Sequence, residues 1–124
     1  MTYENKHVLL GVTGGIAIYK TLDLIRSLKR RGITVEVVMT RAAQEFITPL
    51  TFKEVTGLPV HLEIFSPSGQ WKVEHISLAR KTDLVAIIPA TANIIGKLAA
   101  GIADDLLTTT VLATKSPVVV APAM

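Results

Sequence analysis

Val8-Leu9-Leu10-Gly11-Val12-Thr13-Gly14-Gly15-Ile16-Ala17 is the stretch on which the fold turns. An uncharged run from Val8 to Val12 ends in a hydroxyl residue and two glycines. A short apolar run bounded by turn signals reads as a buried strand. Beyond it, Ile16, Tyr19, Leu22, Ile25 and Leu28 recur every third residue. That is a helical pattern, and Gly32 closes it after the basic turn Lys29-Arg30-Arg31. Val35 to Met39 is a second, Val-rich strand ended by Thr40. Strand, helix and strand in this order predict a βαβ unit with a right-handed crossover.

Outward from this unit the alternation continues. Arg41 to Phe46 reads as a short helix, and Pro49 to Thr56 as another, with proline in its first turn. Gly57-Leu58-Pro59 breaks it. Val60 to Phe65 reads as a weak strand or extended piece, Ser66 to Gln70 as a loop, and Ile76 to Lys81 as one or two helical turns. Leu84 to Ile88 is an unbroken apolar strand that Pro89 is expected to stop. Ala92 to Ala100 is a helix closed by Gly101. Leu106 to Ala113 is a helix with Asp104 and Asp105 near its start, where the dipole favours acids. Val118 to Ala121 reads as a final buried strand ended by Pro122. Alternating strands and helices predict an α/β fold with a doubly wound parallel sheet.

The 124 residues suffice for one domain. Hydrophobic residues make up 49% and aromatics only 5%, so the core must be aliphatic, which suits parallel strands covered by helices. The net charge of +3 is scattered, and the Lys29 to Arg31 cluster reads as the solvated end of a helix. A nucleic-acid binder would show a basic stripe with interleaved aromatics, so no nucleic-acid partner is expected. The absence of cysteine excludes disulfides and thiolate metal sites within these residues. No apolar run approaches the ~18 residues of a membrane span. Met1 to Lys6 is unlike a signal peptide. A cytoplasmic location without a membrane partner is the expectation.

In doubly wound sheets, ligands bind outside the carboxyl ends of the strands. Those ends carry Thr13-Gly14-Gly15, Thr40, Pro89-Ala90-Thr91-Ala92-Asn93 and Pro122-Ala123-Met124. The first turn lets backbone approach an anion at a helix N-terminus. Its spacing is not G-x-G-x-x-G, and it lacks the lysine of a P-loop, so a mononucleotide phosphate is the better candidate. A tight βα turn without a ligand would read the same way. Thr40 could donate to that phosphate or cap the helix that follows it. Phe46 reads as core or as a contact to a ligand ring. His7 and His61 receive no role. His75 reads as a helix-start residue or a proton-transfer group. No histidine has metal-ligand spacing to a partner, so no metal is expected.

Six segments then occur in order: Gly11-Val-Thr-Gly-Gly-Ile-Ala17, Met39-Thr-Arg-Ala-Ala43, Phe46-Ile-Thr-Pro49, His75-Ile76, Pro89-Ala-Thr-Ala-Asn93 and Ala121-Pro-Ala-Met124. Together they resemble the homo-oligomeric flavin-containing cysteine decarboxylases. Gly96-Lys-Leu-Ala-Ala-Gly-Ile-Ala-Asp-Asp105 and Leu106-Leu-Thr-Thr109 bring the resemblance nearest to the phosphopantothenoylcysteine decarboxylase part of the bifunctional coenzyme A biosynthesis flavoprotein.

The resemblance implies a Rossmann/flavodoxin-like three-layer sandwich and FMN as cofactor. It places backbone groups of Gly14, Gly15 and Ile16 and the Thr40 hydroxyl at the phosphate. Thr91, Ala92, Asn93 and Ala123 would line the flavin, with Phe46 near it. His75 would be the catalytic histidine, and Asn93 would also hold the substrate carboxylate. The substrate implied is a small phosphorylated, cysteine-containing molecule, 4′-phosphopantothenoylcysteine, converted to 4′-phosphopantetheine. The implied chemistry is oxidation of the cysteine moiety to a thioaldehyde, loss of carbon dioxide and return of the hydride. A homotrimer or a dodecamer built of trimers is implied, with a fused or separate phosphopantothenate-cysteine ligase.

Residues 1–124 are expected to form one flavin-binding decarboxylase domain, cut short at its C-terminal end. The family motif continues with asparagine after Met124, followed further on by a cysteine-bearing lid. Decarboxylation of a peptide's C-terminal cysteine, or non-catalytic FMN binding on the same fold, are the alternative functions. A flavin prenyltransferase fits the motifs at Pro89 to Asn93 and Pro122 to Met124 less well.

Overall fold

The computed structural model describes residues 3–63 and 74–123. The elements are β1 (His7–Val12), α1 (Ile18–Arg30), β2 (Thr34–Met39), a 3-10 turn (Ala42–Glu45) and α2 (Pro49–Thr56). There follow α3 (Glu74–Lys81), β3 (Leu84–Ala90), α4 (Ala92–Ala100), α5 (Leu106–Ala113) and β4 (Val118–Pro122). The strands form one parallel sheet in the order β2-β1-β3-β4.

Alternation along the strands sends side chains to both faces. Val8, Leu10 and Val12 of β1 join Val35, Val37 and Met39 of β2 under Ile18 and Ile25 of α1 and Phe52 of α2. Leu9, Val38, Val85 and Ile87 face the other way, against Leu78 of α3, Ile94 of α4 and Leu106 and Leu107 of α5. This is the predicted three-layer sandwich. Gly11 belongs to the second face, where a Cβ would come within 2.5 Å of a Leu107 methyl. The missing side chain lets α5 seat on the sheet.

Several local expectations change. The helix begins at Ile18, and Ile16 and Tyr19 are exposed, at 67% and 51%. A strict three-residue stripe drifts around a helix of 3.6 residues per turn. The buried face is instead Ile18, Thr21 and Ile25. Lys29 does not end in solvent alone, because its Nζ donates to Val55 O of α2 at 2.9 Å. Pro89 does not stop β3. The Ile88–Pro89 peptide is cis, and the strand resumes pairing at Ala90 after a shift in register from Ile87.

The expected strand from Val60 is a single parallel rung, His61 opposite Val38. Ile64 and Phe65, and the loop predicted from Ser66 to Gln70, lie outside the described residues. β4 is not buried. Among the described residues it pairs only with β3, at the sheet edge, and Val118, Val119 and Val120 are 39–46% exposed.

Candidate functional site

The connection from β1 leads outward to β2, and the chain then returns across β1 to β3. The crevice between the carboxyl ends of β1 and β3 is therefore the switch point, where this architecture opens a ligand site. Thr13 ties that point together. It is 2% exposed, its Oγ1 donates to Pro89 O at 2.6 Å, and it accepts from the Thr91 N–H at 3.1 Å. Thr21 Oγ1 adds a bond to Ile88 O at 3.3 Å. The Thr40 N–H donates to Val12 O at 3.1 Å, and the Ala123 N–H donates to Ala90 O at 3.0 Å. The four strand ends thus form one stitched rim.

The three glycines of the first segment answer to different neighbours. Gly11 makes room for Leu107, as described above. A Cβ on Gly14 would lie 2.7 Å from Ala42 Cβ and 2.9 Å from the Ala42 carbonyl carbon. On Gly15 it would meet nothing nearer than Thr91 Cγ2 and Ala123 O, both at 3.8 Å. Gly15 therefore faces an opening between the ends of β3 and β4.

The turn after Gly14 leaves donors in hand. The Gly15 N–H donates to Thr13 O at 3.1 Å, and the Ile18 N–H to Gly15 O at 3.0 Å. Among the described residues, no acceptor meets the N–H groups of Gly14, Ile16 and Ala17. Ala17, the N-cap of α1, supplies no capping side chain, and the first turn holds no acid. Unpaired amides at an uncapped helix start favour an anion.

A cleft of about 560 Å³ opens at the rim, lined by Thr13, Gly14, Thr40, Arg41, Thr91, Asn93, Lys97 and Asp105 among others. It brings together four residues selected from the sequence, Gly14, Thr40, Thr91 and Asn93. Gly15 and Ala123 do not line it, but both lie beside Thr91, which does. Ala92 and Asn93 form the first turn of α4, and Thr91 Oγ1 caps it by accepting from the Ile94 N–H at 3.4 Å. Thr40 Oγ1 accepts from the Ala43 N–H at 3.3 Å, so the capping role is present. The hydroxyl's own hydrogen remains available for an acceptor in the cleft.

Phe46 and Ile16 do not line this cleft. Phe46 is 39% exposed, and its carbonyl accepts from Tyr19 Oη at 3.1 Å. His75 falls in the first turn of α3, and its side chain lies outside the described residues.

The sequence reading missed Thr13 as a clip, since nothing local announces a partner 76 residues away. It also missed Arg41, Lys97 and Asp105. Lys97 is one helical turn beyond Asn93, a spacing that could have placed both on one face. Its Nζ meets both Asp104 oxygens, at 3.1 and 3.0 Å. Asp105 and Thr108 form a reciprocal capping box at the start of α5. A second groove of about 740 Å³ shares Thr40, Arg41, Lys97 and Asp105 and continues over Leu106 and Leu107. Among the described residues, no group of three or more His, Asp or Glu is placed to hold a metal.

A doubly wound α/β domain with unpaired amides at its switch point has the architecture in which phosphate-bearing ligands bind at the sheet's carboxyl edge. The Flavoprotein family model matches residues 1–124, and the chain belongs to that family. It is 54% identical over 123 residues to the coenzyme A biosynthesis bifunctional protein CoaBC of Vibrio vulnificus (strain YJ016). That match covers 99% of this chain, which spans 31% of the relative's length. The solved structure of SpaF, described as an FMN-dependent cysteine decarboxylase, superposes with a TM-score of 0.87 at 34% identity. It covers 96% of this chain and 69% of SpaF. A PPC decarboxylase mutant complexed with pantothenoylaminoethenethiol matches at TM-score 0.77 and 32% identity, over 96% of this chain and 67% of the other.

Proposed function

We propose that this chain is the FMN-binding part of a decarboxylase that converts 4′-phosphopantothenoylcysteine to 4′-phosphopantetheine in coenzyme A biosynthesis. The observation that carries the reading is the Gly14-to-Ala17 turn. Its unpaired amides border an opening at Gly15, beside Thr40, Thr91 and Asn93. The donor set fits a phosphate monoester, because it offers several N–H groups and a hydroxyl and no carboxylate in the turn. The relationship to the CoaBC protein and to the PPC decarboxylase supports FMN as the ligand and supports the substrate class.

In this reading the amides of Gly14 and Ile16 and the Thr40 hydroxyl hold the cofactor phosphate, with Gly15 leaving it room. Thr91, Ala92 and Ala123 border the flavin ring, with Phe46 near it. Bound FMN supplies two-electron oxidation and reduction of the cysteine moiety. Asn93, at the start of α4, holds the substrate carboxylate through its side-chain amide. His75 moves a proton through an imidazole nitrogen in the oxidative half, a role for which histidine is suited near neutral pH. Trimers or larger assemblies of trimers belong to the same proposal, and the exposed Ile16, Tyr19 and Phe46 support a second chain against that face. So does action beside a phosphopantothenate-cysteine ligase, as the word bifunctional in the relative's name supports. A cytoplasmic location is likewise proposed. Among the described residues, no helix is long and apolar enough to cross a membrane.

The test is carbon dioxide release by FMN-loaded protein, offered phosphopantothenoylcysteine and, separately, a peptide ending in cysteine. Release from the first alone is expected. Release from the peptide alone would move the chain to the peptide-cysteine branch. A colourless protein that cannot be reconstituted with FMN would defeat both. His75→Asn is expected to abolish release while flavin absorbance stays, and full activity in that variant would refute the role given to His75.

A further inference from the structure

Glu36 is the charged member of β2, between Val35 and Val37 on one core face and sharing the other face with Val38. Its side chain is only 13% exposed. A carboxylate so placed is costly unless both oxygens are satisfied. Here they are, because His61 Nε2 lies 2.8 Å from Oε2 and Lys81 Nζ lies 2.7 Å from Oε1. Burial alone would raise the Glu36 pKa. The hydrogen bonds and charges of Lys81 and His61 outweigh it and hold the carboxyl below its ordinary range.

Both partners are themselves anchored. The His61 N–H donates to Val37 O at 2.9 Å, and the His61 carbonyl accepts from the Met39 N–H at 3.0 Å. That is a one-residue rung along β2. Lys81 is the last residue of α3, just beyond the buried Leu78 and Ala79. Thr82 Oγ1 closes the helix end onto Leu78 O at 2.6 Å. α3 has eight residues, too few to be stable by its own hydrogen bonds, so tertiary contacts decide where it lies. Glu36 does not line the cleft at the rim, and the proposed function leaves it without a task.

We infer that Glu36 is a positioning residue: by holding His61 and Lys81 at once, it sets where α3 lies against the sheet, and with it the first turn that carries His75. The inference rests on the proposed role of His75. Its reach is large because a displacement of about 1 Å in a reacting group can cost about a hundredfold in rate.

Two measurements on FMN-loaded protein test it. In amide hydrogen exchange, Glu36→Ala is expected to speed exchange in α3 while α1 keeps its protection. Glu36→Gln, which keeps the shape and an acceptor oxygen, is expected to restore part of that protection. Lys81→Met, which breaks one arm only, should give a smaller effect than Glu36→Ala. Unchanged exchange in α3 would overturn the tether. In turnover, Glu36→Ala is expected to lower kcat about tenfold or more with KM and flavin absorbance unchanged. Glu36→Gln is expected to recover part of the lost kcat. A Glu36→Ala variant with unchanged kcat, or a Glu36→Gln variant as slow as Glu36→Ala, would overturn the positioning role. A fully active His75→Asn variant would defeat the reading of His75 and not the tether, which the exchange of α3 decides by itself.

Discussion

Two strand-to-helix turns meet at the switch point, and they solve the same problem in opposite ways. The β3–α4 turn carries a side-chain cap: the Thr91 N–H reaches Thr13 Oγ1, and Thr91 Oγ1 accepts from the Ile94 N–H, while the Ala92 and Asn93 N–H groups meet no acceptor among the described residues. The β1–α1 turn does not. Its N-cap is Ala17, and the amides of Gly14, Ile16 and Ala17 meet no acceptor among the described residues. One turn is capped by a threonine hydroxyl and presents the Asn93 side chain. The other has no side-chain cap and presents backbone. The uncapped turn is the one that most favours an anionic group, and the capped one offers a directed side chain.

Four substitutions can break or sharpen this contrast. The largest effect is expected from Gly14→Ala, whose new Cβ would press on Ala42 side chain and backbone. A loss of about 2–3 kcal/mol is expected from overpacking, with or without flavin, in denaturant unfolding. Its neighbour should behave in the reverse manner. Gly15→Ala meets only ordinary contacts at 3.8 Å, so the flavin-free chain should gain about 0.4–1 kcal/mol through its unfolded state. FMN binding, followed by fluorescence titration, should weaken in that variant. Equal effects at the two glycines would erase the distinction between them.

Thr13→Val comes next. It removes the buried bond to Pro89 O and strands the half-buried Thr91 N–H. About 1–3 kcal/mol of stability should be lost. A neutral result would mean that the two turns are not joined through this hydroxyl. Thr91→Ala should matter least, at about 0.5–1 kcal/mol, because it removes one long cap contact at a partly exposed helix start. Thermal unfolding of the two threonine variants side by side ranks the clip against the cap.

Much of this was legible along the chain. Val8 to Val12 and Leu84 to Ile88 announced parallel strands by their apolar runs and Val35 to Met39 by its valines, and Gly32, Gly57 and Gly101 marked the helix ends. All three glycines take positive φ, as helix-terminal positions of this kind require. The stripe at Ile16 and Tyr19 misled because spacing by three resembles a helix face over one turn and leaves it over two. Pro89 misled because its strand tolerates an irregularity in register that sequence does not announce.

The sequence by itself determined the alternation of strands and helices, the parallel class of the sheet and the small, hydroxyl-rich character of its carboxyl rim. These depend on periodicity and on residues adjacent in the chain. Only the tertiary structure decided that Gly14 is pressed against Ala42 while Gly15 has room for ordinary contacts with Thr91 and Ala123, that Thr13 clips Pro89 to Thr91, and that β4 lies exposed at the edge. It also decided that His61 and Lys81 share Glu36. Each of those depends on the strand order β2-β1-β3-β4, which brings together residues far apart in the chain and leaves no mark on their local pattern.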